Sequence, residues 1–174
     1  ELRNELTVKP NSGMPGYSCS VSYPVYREST NNFKPRSMVG DDPESSENPF
    51  YGDNRVYGPD ASHGTHVAGI IGAKRNNGLG MDGVATNARI MTLRVVPNGD
   101  ERDKDVANAI RYAVDNGAKV INMSFGKDVG HMDEYVESAI QYAAEHDVLL
   151  VHAAGNDGHS VDKYKNYPNG WNEV

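Results

Sequence analysis

Residues 118–158 read AKVINMSFGKDVGHMDEYVESAIQYAAEHDVLLVHAAGNDG, and the alternation inside them decides the fold. Ala118 to Met123 is a short β-rich run. Asp133 to His146 has helical spacing, with Val136, Ala139, Ile140, Ala143 and Ala144 on one side. Val148 to Ala153 is again of strand length and apolar apart from His152. Upstream, Asp105 to Asn116 repeats the helical spacing through Val106, Ala109, Ile110, Ala113 and Val114, and Asn116-Gly117 supplies the left-handed residues that end a helix. Ala88 to Val96 holds Ile90, Met91, Leu93, Val95 and Val96 in a third strand-length run. Ser62 to about Arg75 places Val67, Ile70 and Ile71 three and four apart, which is one helix face.

Apolar strands alternating with helices predict an α/β fold, a three-layer parallel sheet with helices on both faces and right-handed crossovers. In such sheets ligands gather beyond the carboxyl ends of the strands. Two of those ends carry unusual residues, Asn122-Met123-Ser124-Phe125-Gly126 and Ala153-Ala154-Gly155-Asn156-Asp157-Gly158, so chemistry is expected there.

The regular alternation belongs to only part of the 174 residues. Residues 1–60 hold 17 apolar side chains and seven of the nine prolines, whereas residues 61–174 hold 48 apolar side chains in 114 positions. Residues 1–60 therefore read as an irregular, proline-rich insertion or extension, with short edge strands around Ser20 to Tyr26, and residues 61–174 as the folded part. The net charge of -7 and the absence of a basic stripe argue against a nucleic-acid partner. No apolar run approaches the ~18 residues that suggest a membrane span. The lone Cys19 excludes an internal disulfide. Residue 1 is Glu without a basic-then-apolar leader, so an export signal is expected to lie outside these residues.

His63-Gly64-Thr65-His66-Val67-Ala68-Gly69-Ile70-Ile71-Gly72-Ala73 is the most informative motif. Glycine costs about 1 kcal/mol relative to alanine inside a helix, so Gly64, Gly69 and Gly72 predict close approach to neighbouring backbone. A histidine in a first helical turn meets the positive end of the dipole, which favours the neutral imidazole of a general base.

This run resembles the catalytic-histidine motif of the subtilisin-like serine protease family. The resemblance implies that His63 is the general base and that His66 has a structural role. Gly83-Val84-Ala85 is similar to the family's segment leading into the next strand, Ser124-Phe125-Gly126 to its substrate-pairing edge, and Ala153-Ala154-Gly155-Asn156 to its oxyanion-hole motif. The matches run in order from about residue 60 to residue 158. They imply a partial subtilisin-like catalytic domain in residues 61–174, a polypeptide substrate, and an extracellular or cell-envelope location for the full-length protein.

The residues fit that chemistry on their own terms. Acyl transfer places negative charge on a carbonyl oxygen, and the Asn156 amide is a donor that can stabilise it, presented on a turn that Gly155 permits. Ser124-Phe125-Gly126 and Ala154-Gly155 are the candidate substrate-binding residues; an extended peptide would add to the edge as a strand, and Gly126 would leave room for it. Phe125 reads equally well as core.

No cofactor is required for this chemistry. Arg75-Asn76-Asn77-Gly78-Leu79-Gly80 resembles a family loop that binds structural calcium through carbonyls and an asparagine, which makes Asn77 the candidate ligand, although an ordinary Asn-Gly turn accounts for the same residues. His63 and His66 share a helix face, but no third and fourth zinc ligands follow at a recognisable spacing. Gly78-Leu79-Gly80-Met81-Asp82-Gly83 follows a helix and precedes a strand, the reverse of a phosphate loop.

The family also uses an aspartate and a serine, in the chain order Asp, His, Ser. Asp41, Asp42, Asp53 and Asp60 lack the family's apolar-strand context, and no Gly-Thr-Ser run follows Asn156. Two readings remain. In one, this is the central fragment of a protease whose Asp- and Ser-bearing parts belong to the rest of the same protein. In the other, it is a stand-alone, non-catalytic peptide-binding or assembly module. His63 and Asn156 together favour the fragment.

Overall fold

A computed structural model describes residues 41, 51–52, 60–96, 101–130 and 133–168. Nearly all of residues 1–60 lies outside the described residues, including the edge strands expected around Ser20 to Tyr26 and the candidates Asp42 and Asp53. The elements run in the order α1 (Ser62–Gly72), α2 (Asp103–Asp115), β1 (Val120–Met123), α3 (Asp133–Glu145) and β2 (Leu149–His152).

Both central helices hand the chain to a strand through the same hydrogen-bonded turn. At the end of α2, Gly117 N–H donates to Val114 C=O and Ala118 N–H to Ala113 C=O, with Gly117 at φ +83°. At the end of α3, Asp147 N–H donates to Ala144 C=O and Val148 N–H to Ala143 C=O, with Asp147 at φ +57°. These are paired 5→2 and 6→1 bonds that satisfy terminal helix carbonyls. Glycine suits the first turn as its sequence predicts; aspartate occupies the left-handed position of the second.

β1 and β2 pair in parallel, with Val120 opposite Leu149 and Met123 opposite His152. Because side chains alternate across a strand, Ile121, Met123 and Leu150 share one face. That face joins Val106, Ala107, Ile110 and Val114 of α2 and Val136, Ala139, Ile140 and Ala143 of α3 in one core. The opposite face carries Val120, Leu149 and Val151, which are 59%, 61% and 43% exposed. The described part of the α/β fold is thus a parallel sheet with its helical layer on one face, an incomplete form of the three-layer architecture.

Residues 88–96 do not form the third strand that their apolar run predicts. Only Arg94 is in a bridge, and the segment is mostly half-buried. A strand is defined by its ladder, and among the described residues no neighbouring strand completes one. α1 also stands apart from the core, with no buried residue. It ends at Gly72 rather than near Arg75 because the following loop folds back on it. Val84 N–H donates to Ile70 C=O and Ala85 N–H to Ile71 C=O, so other backbone takes the carbonyls a longer helix would use. The crowded glycine is Gly83, where a Cβ would run into the backbone of Gly72 and Ala73, whereas a Cβ on Gly72 itself would meet only ordinary contacts, the nearest being Ile90 Cδ1 at 3.5 Å. Gly64 and Gly69 face no described atom within 4 Å, so the crowding expected of them is absent among the described residues.

Candidate active site

The parallel register sets two motifs side by side. β1 and β2 end level at Met123 and His152, and Ala153 N–H donates to Met123 C=O at 3.2 Å. Ser124-Phe125-Gly126 and Ala154-Gly155-Asn156 therefore leave adjacent carboxyl ends of the sheet, the place where α/β sheets put ligands.

Asn156 is exposed, and its amide has no hydrogen-bond partner among the described residues. The turn before it needs Gly155, at φ +90°, where a side chain would be strained. Ser124 is half-buried, and its Oγ accepts from Asn122 Nδ2 at 2.9 Å. Phe125 packs partly against the core and meets His152 edge-on, with ring centroids 6.1 Å apart, so its ring takes the core role that the sequence allowed.

Gly126 lies in a crowded place. A Cβ there would collide with Asn166 Oδ1 and come within 3.2 Å of His152 Cε1. The room beside Gly126 is therefore filled by this chain's own Asn166. Asn166 Oδ1 is buried without a hydrogen-bond partner, and its Nδ2 comes within 3.8 Å of the Cβ position of Gly155. The next residue, Tyr167, forms an antiparallel bridge with Lys127, through Tyr167 N–H to Lys127 C=O at 2.8 Å and Lys127 N–H to Tyr167 C=O at 3.3 Å. Asn166, Tyr167 and Lys127 had no sequence signal, because the pairing spans 40 positions and Asn166-Tyr167-Pro168 reads only as a turn.

His63 is exposed in the first turn of α1. Among the described residues no hydrogen bond or ring contact joins it to Ser124–Gly126 or to Ala154–Asn156. His63 instead lies beside Asp60, whose Oδ1 accepts from Ser62 N–H at 2.9 Å and Ser62 Oγ at 2.7 Å. Those bonds from Ser62, with the nearby charges of Arg94 and His63, hold the Asp60 carboxyl below the usual carboxylate range. Arg94 Nη1 donates to Asp60 C=O at 3.0 Å, tying the start of α1 to the 88–96 segment.

The other described aspartate ahead of His63 has a different task. Asp41 accepts from Lys104 Nζ at 2.6 Å inside the protein. Around it, Tyr51 Oη donates to Asp105, Asn108 Nδ2 to Tyr51, and Tyr135 Oη to Asn108. The first 60 residues thus reach the helical core through Asp41 and Tyr51.

Asn77 Oδ1 accepts from Leu79 N–H at 2.9 Å, and Asp82 Oδ1 from Asn76 N–H at 3.0 Å, with Asn76, Gly78 and Gly80 at positive φ. The loop is closed by its own side chains, while the Asn77 oxygen keeps a second lone pair. Among the described residues no group of three or more His, Cys, Asp or Glu side chains could hold a metal ion, and no helix is long and apolar enough to cross a membrane.

A sequence model described as the Subtilase family matches residues 22–174. The chain is 47% identical over 101 residues to a thermophilic serine proteinase of Bacillus sp. (strain AK1), covering 58% of this chain and 25% of that one. It is 43% identical over 106 residues to thermitase of Thermoactinomyces vulgaris, covering 60% and 37%. Among solved structures, the S41 psychrophilic protease superposes with a TM-score of 0.53 at 36% identity, over 62% of this chain and 36% of that one. The chain thus spans about a quarter of the first of these relatives and somewhat over a third of the second. Related proteins include extracellular, cell wall-associated and intracellular proteases.

Proposed function

The chain belongs to the subtilase family, and on that footing we propose that it is the central portion of a serine endopeptidase. It would supply the histidine base and the oxyanion asparagine, while the aspartate and serine come from other parts of the same protein. The observation that carries the reading is the placement of Ser124–Gly126 and Ala154–Asn156 at neighbouring carboxyl ends of two parallel strands, with the Asn156 amide exposed beside the edge.

In the assembled site the serine hydroxyl attacks the scissile carbonyl as its proton passes to His63. The Asn156 N–H₂ stabilises the developing oxyanion. His63 then gives the proton to the departing amine, and water, activated by the same imidazole, hydrolyses the acyl-enzyme. Ser124–Gly126 pairs with the backbone of the extended substrate, and Ala154 and Gly155 border the reacting carbonyl. None of these steps needs a cofactor. A structural calcium held by Asn77 and backbone carbonyls of residues 75–80 belongs to the same proposal, supported by the free lone pair of that amide and by calcium's preference for hard oxygens. An extracellular or cell-envelope location is proposed from the family's habit of secretion.

The exposed apolar sheet face suits the fragment reading, since Val120, Leu149 and Val151 would be covered once the remaining parts are present. Without the nucleophilic serine and the orienting aspartate of the family's motifs, the 174-residue chain is expected to be inactive by itself. The test is turnover of an unfolded protein by the full-length protein. Asn156→Ala should lower kcat about 10²- to 10³-fold, the size such a donor has in a relative of this family. An unchanged kcat would contradict the assignment, and specific peptide binding without cleavage by the wild type would establish the binding module instead.

A further inference from the structure

The substrate edge runs directly into a lysine that is turned inward. Lys127 Nζ lies 2.5 Å from Asp103 Oδ1, with side chains 7% and 5% exposed, and it donates to Glu101 C=O at 3.0 Å. Asp103 opens α2, where a carboxylate also suits the positive end of the dipole. The backbone of Lys127 is meanwhile bonded on both sides to Tyr167. One residue therefore joins three pieces: the edge 124–126, the first turn of a core helix, and the segment whose Asn166 lies against Gly126. A buried ammonium needs fixed partners, and moving Lys127 would uncouple it from them.

We propose that the Lys127–Asp103 pair is a positioning device for the substrate, holding the backbone of Ser124–Gly126 in register for an incoming peptide strand. Lys127 touches neither the peptide nor the reacting atoms; it acts through the three residues before it. The proposal rests on the endopeptidase reading above. It concerns binding of extended substrate rather than the bond-breaking step.

The test uses the full-length protein and the variants Lys127→Met, Asp103→Asn, Lys127→Arg and the apolar pair Asp103→Leu/Lys127→Met. Active sites are titrated with a small serine-reactive phosphonofluoridate, so that every rate refers to working sites. For a peptide that extends several residues beyond the cleaved bond, Lys127→Met and Asp103→Asn should raise KM about tenfold, while kcat and the probe's labelling rate stay within about threefold. Lys127→Arg, which keeps the charge, should recover most of the lost KM. The apolar pair should regain thermal stability yet keep the raised KM, because it removes both buried charges without restoring the tether. Where Lys127→Met does not fold, Asp103→Asn and Lys127→Arg carry the comparison. Variants that lose Tm but keep a wild-type KM per titrated site would show a purely structural pair and overturn the proposal. A wild-type protein that neither labels nor cleaves would remove the endopeptidase reading and this proposal with it. Labelling of the wild type that depends on His63 places any failure on Lys127 alone.

Discussion

Lys104→Met takes the ammonium away from Asp41 while keeping a side chain of similar length. The pair is 2.6 Å apart with side chains 3% and 0% exposed, and Lys104 Nζ also lies 4.7 Å from the centre of the Tyr51 ring. Removing one member of a buried pair costs about 3–5 kcal/mol, because the other charge stays out of water. The lost cation–π contact accounts for about 0.5–2 kcal/mol, part of it already inside that figure. An expected loss of about 3–5 kcal/mol is a change of about 150- to 4,000-fold in the unfolding constant. With a urea m-value of about 2 kcal/mol per M, the midpoint followed by far-UV circular dichroism should fall by about 1.5–2.5 M. Asp41→Leu/Lys104→Met, which removes both charges, should stay within about 1 kcal/mol of the parent. A shift below about 0.5 M for the single variant would refute the argument. So would a double variant as unstable as the single.

Ile140 is fully buried between the helices and the sheet, so Ile140→Ala should destabilise by about 2–5 kcal/mol in the same assay. Asp147 occupies a left-handed turn at φ +57°, so Asp147→Gly should gain about 0.5–1 kcal/mol; a loss would show that the aspartate is favoured there. The Asp60 carboxyl is held below its ordinary range by its bonds from Ser62, so the support it gives α1 is present above the unfolded-state carboxylate pKa and is lost as pH falls through the lower folded value. Protection factors of amides in the first turn of α1 should therefore fall at acid pH. Asp60→Asn should flatten that dependence, and an unchanged profile would show that the carboxylate does not hold the turn.

The parts legible in the sequence were those fixed by local periodicity. Val106 to Val114 and Val136 to Ala144 marked two helices, and their ends fell within a residue or two of expectation because Asn116-Gly117 is a strong stop signal. Asp147 gave a weaker signal, since aspartate adopts the left-handed region at a cost that only the fold reveals. The run from Ala88 to Val96 is just as apolar as β1, but whether it becomes a strand depends on a neighbour elsewhere in the chain. The candidate site was legible to the same extent. Ser124–Gly126 and Ala154–Asn156 follow recognisable strands, and the register alone makes them adjacent. Asn166 and Lys127 join that region through contacts distant in sequence, and Lys104, Lys127 and Asp41 are buried although charge ordinarily marks a solvated face.

The most direct measurement is the labelling rate of the full-length protein with a serine-reactive phosphonate probe, compared between wild type and His63→Ala. If His63 is the base that activates a serine supplied by another part of the protein, the wild type labels stoichiometrically and His63→Ala loses at least about 10³-fold in rate while folding normally. A variant that labels as fast as the wild type would contradict the account, as would labelling of the 174-residue chain by itself.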